Sequence, residues 1–329
     1  MKLAVLGAGA WGTALATSFS REHTVMLWAR DAAQAAAIRQ SRVNQRYLPG
    51  LPLPEAVAVT AALDDAISAA DLIVLVTSTA GMAPVLSSLR GLDARIPLLW
   101  ACKGFEVSTG RLPHQIADAL LPADVSRGAL SGPSFAQEVA QGKPAALTLA
   151  SVDAHFASRA AADLNSTSLR VYSSTDLIGV ELGGALKNVI AIAAGVSDGL
   201  DLGNNARAAL VTRGLSEISR LGMALGGRPD TFMGLTGLGD LILTATGDLS
   251  RNRTVGRRLA AGQSLDAILA DLGHVAEGVN SARAALRLAR EHHCDMPITE
   301  AVCGLLFDGL SPKVAVRQLM AREPKPEAR

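Results

Sequence analysis

One lysine in this chain of 329 residues stands where charge is unexpected. Between Glu181 and Asp198 the only charged residue is Lys187, inside LGGALKNVIAIAAGVS. Ile190 and Ala191 follow one helical turn later, so its ammonium group has apolar surroundings. Desolvation of that kind lowers a lysine pKa towards the range useful for proton transfer. Gly183 and Gly184, one turn earlier, are expected to leave that helix face open to a ligand, and Asn188 adds a neutral hydrogen-bonding group. A lysine whose stem lies along the surface while its head reaches water is the competing reading. The residues alone leave both open.

Three other segments carry chemistry. Gly7-Ala8-Gly9-Ala10-Trp11-Gly12 is a full G-x-G-x-x-G that follows an apolar strand and opens an amphipathic helix, the context that makes it a dinucleotide cradle rather than a packing turn. Gly7 permits the tight turn, Gly9 lets the backbone approach a pyrophosphate, and Gly12 lets the helix pack closely on the sheet. The phosphates would sit over the helix N-terminus, whose free N–H groups favour anions. At the end of the second strand an acid binds the ribose 2′-hydroxyl of NAD, whereas an arginine accommodates the 2′-phosphate of NADP. Arg30 comes first and Asp31 next, so the pattern leans towards NADP(H) with NAD(H) tolerated; a solvated surface arginine is the alternative. Gly234–Leu241 places Asp240 in a glycine-rich segment, a candidate site residue that an ordinary turn would also explain. Ser250-Arg251-Asn252 then opens a stretch with four arginines in nine residues. A serine N-cap followed by Arg and Asn suits a small phosphate, bound by fork and helix end together. A basic solvated helix face is the bland alternative, and a nucleic-acid patch a third.

The elements that must position these residues change character along the chain. Lys2–Leu6 and Thr24–Trp28 read as strands, Trp11–Arg21 and Asp31–Arg42 as helices. Leu72–Val76 and Ile96–Trp100 are continuous apolar runs, as strands buried on both faces should be. Ala146–Ala150 and Leu169–Tyr172 are further short strands with a helix between them. Such alternation predicts a parallel sheet with helices on both faces. From Asp176 onward the pattern is helical only, over Asp176–Ser197, Asn205–Leu225, Thr254–Ala261, Ser281–His292 and Ile298–Phe307. The expected organisation is an α/β Rossmann-type dinucleotide-binding domain over 1–174, an all-α substrate and catalytic domain over 175–322, and a frayed tail at 323–329.

Composition narrows the function. Hydrophobic residues are 49% and charged residues 19%, enough for real cores and against disorder. A net charge of +1 and 3% aromatics argue against nucleic acid or anionic lipid as partner. Cys102, Cys294 and Cys303 are odd in number and widely spaced, which predicts no disulfide framework and no metal site and fits a reducing cytoplasm. The apolar start is broken by Gly7, Gly9 and Gly12 and so reads as strand and helix rather than as a leader. Leu72 to Leu89 lacks charge, but Gly81, Pro84 and several Ser and Thr make it strand, turn and helix rather than a membrane span.

Seven segments together are similar to one family. GAGAWGTALA (7–16), Asn44–Gly50, CKGFE (102–106), SGPSFAQEVAQGKP (131–144), ELGGALKNVIAIAAGVSDGL (181–200), NNARAALVTRGL (204–215) and GLTGLGDLILTATGDLSRN (234–252) resemble bacterial NAD(P)-dependent sn-glycerol-3-phosphate dehydrogenase. The resemblance implies hydride transfer between a nicotinamide and carbon 2 of dihydroxyacetone phosphate or sn-glycerol 3-phosphate, supplying phospholipid synthesis. It implies Lys187 as proton donor and acceptor, Lys103 as the group that polarises the oxygen and touches cofactor and substrate, and Asp240 as tuner of the lysines, with Asn188 adjacent. It assigns Ser250, Arg251 and Asn252 to the substrate phosphate and Gly132 and Ser134 to further substrate contacts. Arg251 is placed near the cofactor too, and Ala10, Trp11, Arg30, Ala136, Val275 and Glu277 are implied cofactor contacts. Ala245 and Ala145 depart from the family's usual cysteine and threonine, at positions given no chemistry. A hydroxy-acid dehydrogenase of the same architecture and a dinucleotide-binding sensor are the competing readings; the first has no use for the Ser250–Asn252 segment, the second none for two lysines. A helical second domain rich in apolar surface fits a homodimer.

Overall fold

In the computed structural model, residues 1–92, 94–272, 276–323 and 326 are described. Eight strands form one sheet: β1 (Lys2–Leu6), β2 (Thr24–Trp28), β3 (Val57–Thr60), β4 (Leu72–Leu75), β5 (Leu98–Trp100), β6 (Arg127–Ser131), β7 (Ala145–Ala150) and β8 (Leu169–Ser174). Their spatial order is β3-β2-β1-β4-β5-β6-β7-β8. The order reverses between β1 and β4, which opens a crevice beyond the carboxyl ends of the parallel strands. Side chains alternate across the sheet as the two-residue period requires: Leu3 and Val5 join one apolar layer, Ala4 and Leu6 the other.

Two strands are additional to the sequence reading, and one pairing differs from it. Val57–Thr60 is only four residues long, and Arg127–Ser131 begins with a charge and contains Gly128. A Cβ on Gly128 would lie 2.4 Å from the Ala150 carbonyl oxygen, so the glycine marks close strand approach rather than a break. The expected all-parallel sheet holds except between β6 and β7, which run antiparallel. Their connection carries only the five-residue helix Ala136–Ala140 and folds back along the sheet instead of crossing over it.

Beyond Ser174 the described chain is helical. Asp176 caps the helix Leu177–Gly199 by accepting from the Gly179 N–H at 2.8 Å, and it also accepts from Arg228 N at 2.8 Å. This core helix is long and apolar enough to cross a membrane, yet 89% of its most apolar window is buried inside the protein. Its first turns, at Leu177 and Val180, pack into a layer of the sheet. Further along, Leu186 and Ile190 face one helical cluster, Val189 and Ile192 another. Glycines allow neighbours to approach it closely. A Cβ on Gly195 would lie 2.0 Å from the Arg253 carbonyl oxygen, and one on Gly256 2.0 Å from that of Ile192. The helix crossing there is the observed Arg251–Ala260, which starts one turn before the expected Thr254. Of the expected tail, residues 324–325 and 327–329 lie outside the described residues.

Candidate active site

The glycine turn after β1 is built as its spacing requires. Gly7 has φ +127, and a Cβ there would lie 2.5 Å from the Val76 carbonyl oxygen. A Cβ on Gly12 would lie 1.8 Å from Gly7 O, so the helix Ala10–Phe19 packs directly against the turn. Gly9 is different: a Cβ would meet nothing within 4 Å, because the residue faces an open cleft. No side chain among the described residues caps this helix, so its first N–H groups are available to an anion. Asn44 steadies the turn, donating from Nδ2 to Ala8 O at 3.0 Å and to Thr13 Oγ1 at 2.8 Å; Gln34 Nε2 reaches the same carbonyl at 2.7 Å.

That cleft measures about 1390 Å³ and runs from the glycine turn to the core helix. Ala10, Trp11, Arg30, Ser134 and Ala136 line it, as do Arg251 and Glu277 at its far side. Arg30 is exposed and makes no hydrogen bond or ion pair with a described residue. Asp31 caps the next helix, accepting from Ala33 N at 2.9 Å. Thr77 Oγ1, on the cleft wall after β4, is buried with no partner among the described residues. Open backbone at Gly9, an uncapped helix end and an unpaired hydroxyl fit a bound dinucleotide. Val275 lies outside the described residues.

At the other end two ammonium groups share one carboxylate. Lys187 Nζ donates to Asp240 Oδ1 at 2.5 Å and to Thr244 Oγ1 at 2.8 Å. Lys103 Nζ donates to Asp240 Oδ2 at 2.7 Å and to Gly132 O at 3.1 Å. Lys103 follows the carboxyl end of β5, and Gly132, whose carbonyl also accepts from Ser134 Oγ, follows β6. Asp240 is only 1% exposed. Burial pushes its carboxyl up, but the Lys103 and Lys187 charges outweigh burial and hold it below its ordinary value. Burial pulls Lys187 down to about 8; Asp240 opposes this, and the Lys103 and Arg251 charges add to it.

Two expectations about this neighbourhood are corrected. Gly183 and Gly184 open no ligand space beside Lys187. A Cβ on Gly183 would meet Thr236 O at 2.6 Å, and one on Gly184 would meet Ser131 Oγ at 2.9 Å and the Lys103 stem at 3.5 Å. Their bareness admits protein, including the second lysine. Nor does Asp240 sit in a turn: Leu235–Gly239 is a π-helical turn that leads directly into the helix Asp240–Thr246. Thr244, absent from the sequence reading, lies four residues from Asp240 on that helix, a spacing that places both on one face.

The third group lies at the start of the helix Arg251–Ala260. Ser250 Oγ caps it, accepting from Arg253 N at 3.2 Å. Asn252 is buried and acts as a tie: its Nδ2 donates to Asn188 Oδ1 at 2.9 Å, and its Oδ1 accepts from Gly278 N at 3.0 Å. Of the four arginines, Arg251 alone lines the cleft, and it has no hydrogen bond or ion pair with a described residue. Arg253 is paired with Asp198 at 2.6 Å and Asp248 at 2.8 Å, and Arg258 with Asp271 at 2.6 Å. Glu277, beside Arg251, is pushed up to about 7 by burial, which the arginine charge only partly offsets.

Family models cover both halves of the chain. The model for the N-terminus of NAD-dependent glycerol-3-phosphate dehydrogenase matches residues 2–157, and that for its C-terminus matches 176–317. A glycerol-3-phosphate dehydrogenase (NAD(P)+) of Thiobacillus denitrificans is 58% identical over 327 residues, covering 99% of this chain and all of that protein. Its counterpart from Ralstonia nicotianae is 55% identical over 336 residues, covering 100% of this chain and 99% of that protein. The crystal structure of a glycerol-3-phosphate dehydrogenase from Coxiella burnetii superposes with a TM-score of 0.92 at 38% identity, covering 98% of this chain and 99% of that one.

Proposed function

The chain belongs to the NAD-dependent glycerol-3-phosphate dehydrogenase family, and from that membership and the cleft geometry we propose that it interconverts sn-glycerol 3-phosphate and dihydroxyacetone phosphate. The observation that carries this reading is the pair of lysines held by Asp240 in the cleft that begins at the glycine turn. The nicotinamide, when bound, supplies or accepts the hydride. Reducing a ketone creates negative charge on its oxygen, which the Lys103 and Lys187 ammonium groups stabilise. Lys187, titrating near 8, is protonated at neutral pH and gives its proton to that oxygen. In the reverse direction the neutral amine takes the proton back. Asp240 holds both cations at fixed separation, and Thr244 fixes the direction of the Lys187 head.

Arg251 takes the substrate phosphate with the Ser250-capped helix end, while Asn252 and Asn188 hold that end against the core helix. The phosphate is remote from the reacting carbon, so its contacts orient that carbon. Gly132 and Ser134 shape the substrate pocket beside Lys103. Arg30 recognises the 2′-phosphate of NADP(H), a reading supported by its lack of a partner among the described residues and by the use of Asp31 as a helix cap. NAD(H) remains a slower alternative. The cofactor half is 1–174 and the substrate half 175–322. The enzyme works as a homodimer in the cytoplasm, supplying glycerol phosphate to phospholipid synthesis; three free cysteines fit that compartment.

The test is nicotinamide absorbance with purified protein, NADPH or NADH, and dihydroxyacetone phosphate. Oxidation is expected with the phosphorylated ketone and not with dihydroxyacetone, faster with NADPH. Arg30→Ala should cut the NADPH preference about tenfold, the order of one charge-assisted contact. No oxidation by folded protein would discard the reading, and an unchanged preference would discard the role of Arg30.

A further inference from the structure

A buried cluster outside the cleft joins the two elements that carry the lysines. Glu181, on the core helix six residues before Lys187, is 6% exposed. Its Oε1 accepts from Trp100 Nε1 at 2.8 Å and from the His114 backbone N–H at 2.9 Å, while its Oε2 meets His114 Nδ1 at 2.5 Å. Trp100 is fully buried and ends β5, three residues before Lys103. Between these ties, Gly184 lies against the Lys103 stem. The core helix is therefore held to β5 at two levels, by Glu181 below and by the Lys103–Asp240–Lys187 bridge above. The lower tie has no part in the chemistry proposed above; its three contacts offset the desolvation of the buried carboxylate and at the same time fix the core helix against β5.

We infer that Glu181 is a positioning residue whose contacts with Trp100 and His114 set the separation of Lys103 and Lys187 across Asp240. The inference rests on the dehydrogenase reading for its consequence in turnover, but not for its consequence in titration. Without the tie, β5 and the core helix move apart and Lys103 retreats from Asp240. Lys187 then loses the repulsion of Lys103 and gains a larger share of the carboxylate, so its pKa rises. The groups facing Lys187 are Asp240, Lys103 and Arg251. Those facing Glu181 are His114 and Trp100, with the Cys102 thiol nearby, and Asp118 acts on His114.

The experiment follows Lys187 in the cofactor-free protein by NMR of lysine labelled with 13C at Cε, alongside kcat and KM against pH. Glu181→Ala should move the Lys187 titration upward and lower kcat about tenfold, with the KM for cofactor within about twofold. Glu181→Gln should restore both, because its carbonyl still accepts from Trp100 and His114 N–H while its amide donates to neutral His114 Nδ1. Glu217→Ala is the control: it removes another buried carboxylate, one that caps the helix Pro297–Phe307, and should lower Tm without moving Lys187. If Glu181→Ala does not fold, Trp100→Phe removes one donor and should move the titration in the same direction. An unmoved Lys187 in the variant that folds, or an equal movement in Glu217→Ala, overturns the inference. Absence of turnover in the wild-type protein would instead strike the dehydrogenase reading, and the titration would still decide the role of Glu181.

Discussion

Asp240 is the residue on which the proposed chemistry turns, because two cations share its one carboxylate. Lys187 carries opposing influences: burial and the Lys103 charge favour the neutral amine, and Asp240 favours the ammonium. Their balance near 8 fixes the sign of the pH dependence. In the proposed reaction reduction needs the proton on Lys187, so kcat/KM in that direction should be level below pH 8 and fall above it. Oxidation needs the neutral amine and should rise through the same value. Stopped-flow rates in both directions between pH 6 and 10 check this; a reduction rate that climbs through pH 8 would remove Lys187 as donor. Asp240→Asn takes away the influence that raises Lys187. The alkaline limb of the reduction profile should then move to lower pH, with kcat down about 100-fold.

At the scale of elements, close helix packing sets where the helix end that carries Ser250 and Arg251 stands. The core helix and Arg251–Ala260 meet through Gly195 and Gly256, each with backbone 2.0 Å from where a Cβ would be. Gly256→Ala must push the helices apart, at a cost of about 1–3 kcal/mol. Because Ser250 and Arg251 begin the displaced helix, the KM for dihydroxyacetone phosphate should rise by more than that for NADPH. Calorimetry together with the two KM values tests this, and a cofactor KM that rises equally would show a general loosening. Much of this element was legible beforehand. A serine before Arg-Asn marked a cap, and Ser250 is the cap, although the helix itself reads from sequence as starting one turn later at Thr254. Glycine itself was harder to read. Gly183 and Gly184 look like space for a ligand, but they admit backbone and a lysine stem, and only the neighbours settle which.

For the whole molecule, buried acids give stability an unusual pH dependence. Glu217 titrates near 7 in the folded protein, above its ordinary 4.5, because burial outweighs its contacts with Ile298 and Thr299. Glu277 does the same. Each therefore holds a proton in the folded state between pH 4.5 and 7 that the unfolded chain has lost. Their contribution is fully present below 4.5 and disappears as pH rises through 7. Asp240 has the opposite sign, its folded pKa lying below 3.8, so its contribution is lost only in stronger acid. Tm should accordingly peak near pH 5 and fall by a few degrees towards pH 8, as scanning calorimetry would show. Glu217→Gln should flatten part of that slope; an unchanged slope would remove Glu217 as its source.

What the sequence determined by itself is local. Apolar runs such as LIVLV and the spacing of Gly7, Gly9 and Gly12 specify strand, turn and helix, because each depends on residues a few positions apart. The isolation of Lys187 in an apolar helix marked it as special for the same reason. Tertiary structure decided which charges face one another. Lys103 meets Asp240 across 137 residues, and Lys187 meets it across 53. Glu181 finds Trp100 across 81. No periodicity encodes such pairings. They follow from one helix lying against the end of β5, with glycine at the point of contact, and that placement results from the packing of the whole chain.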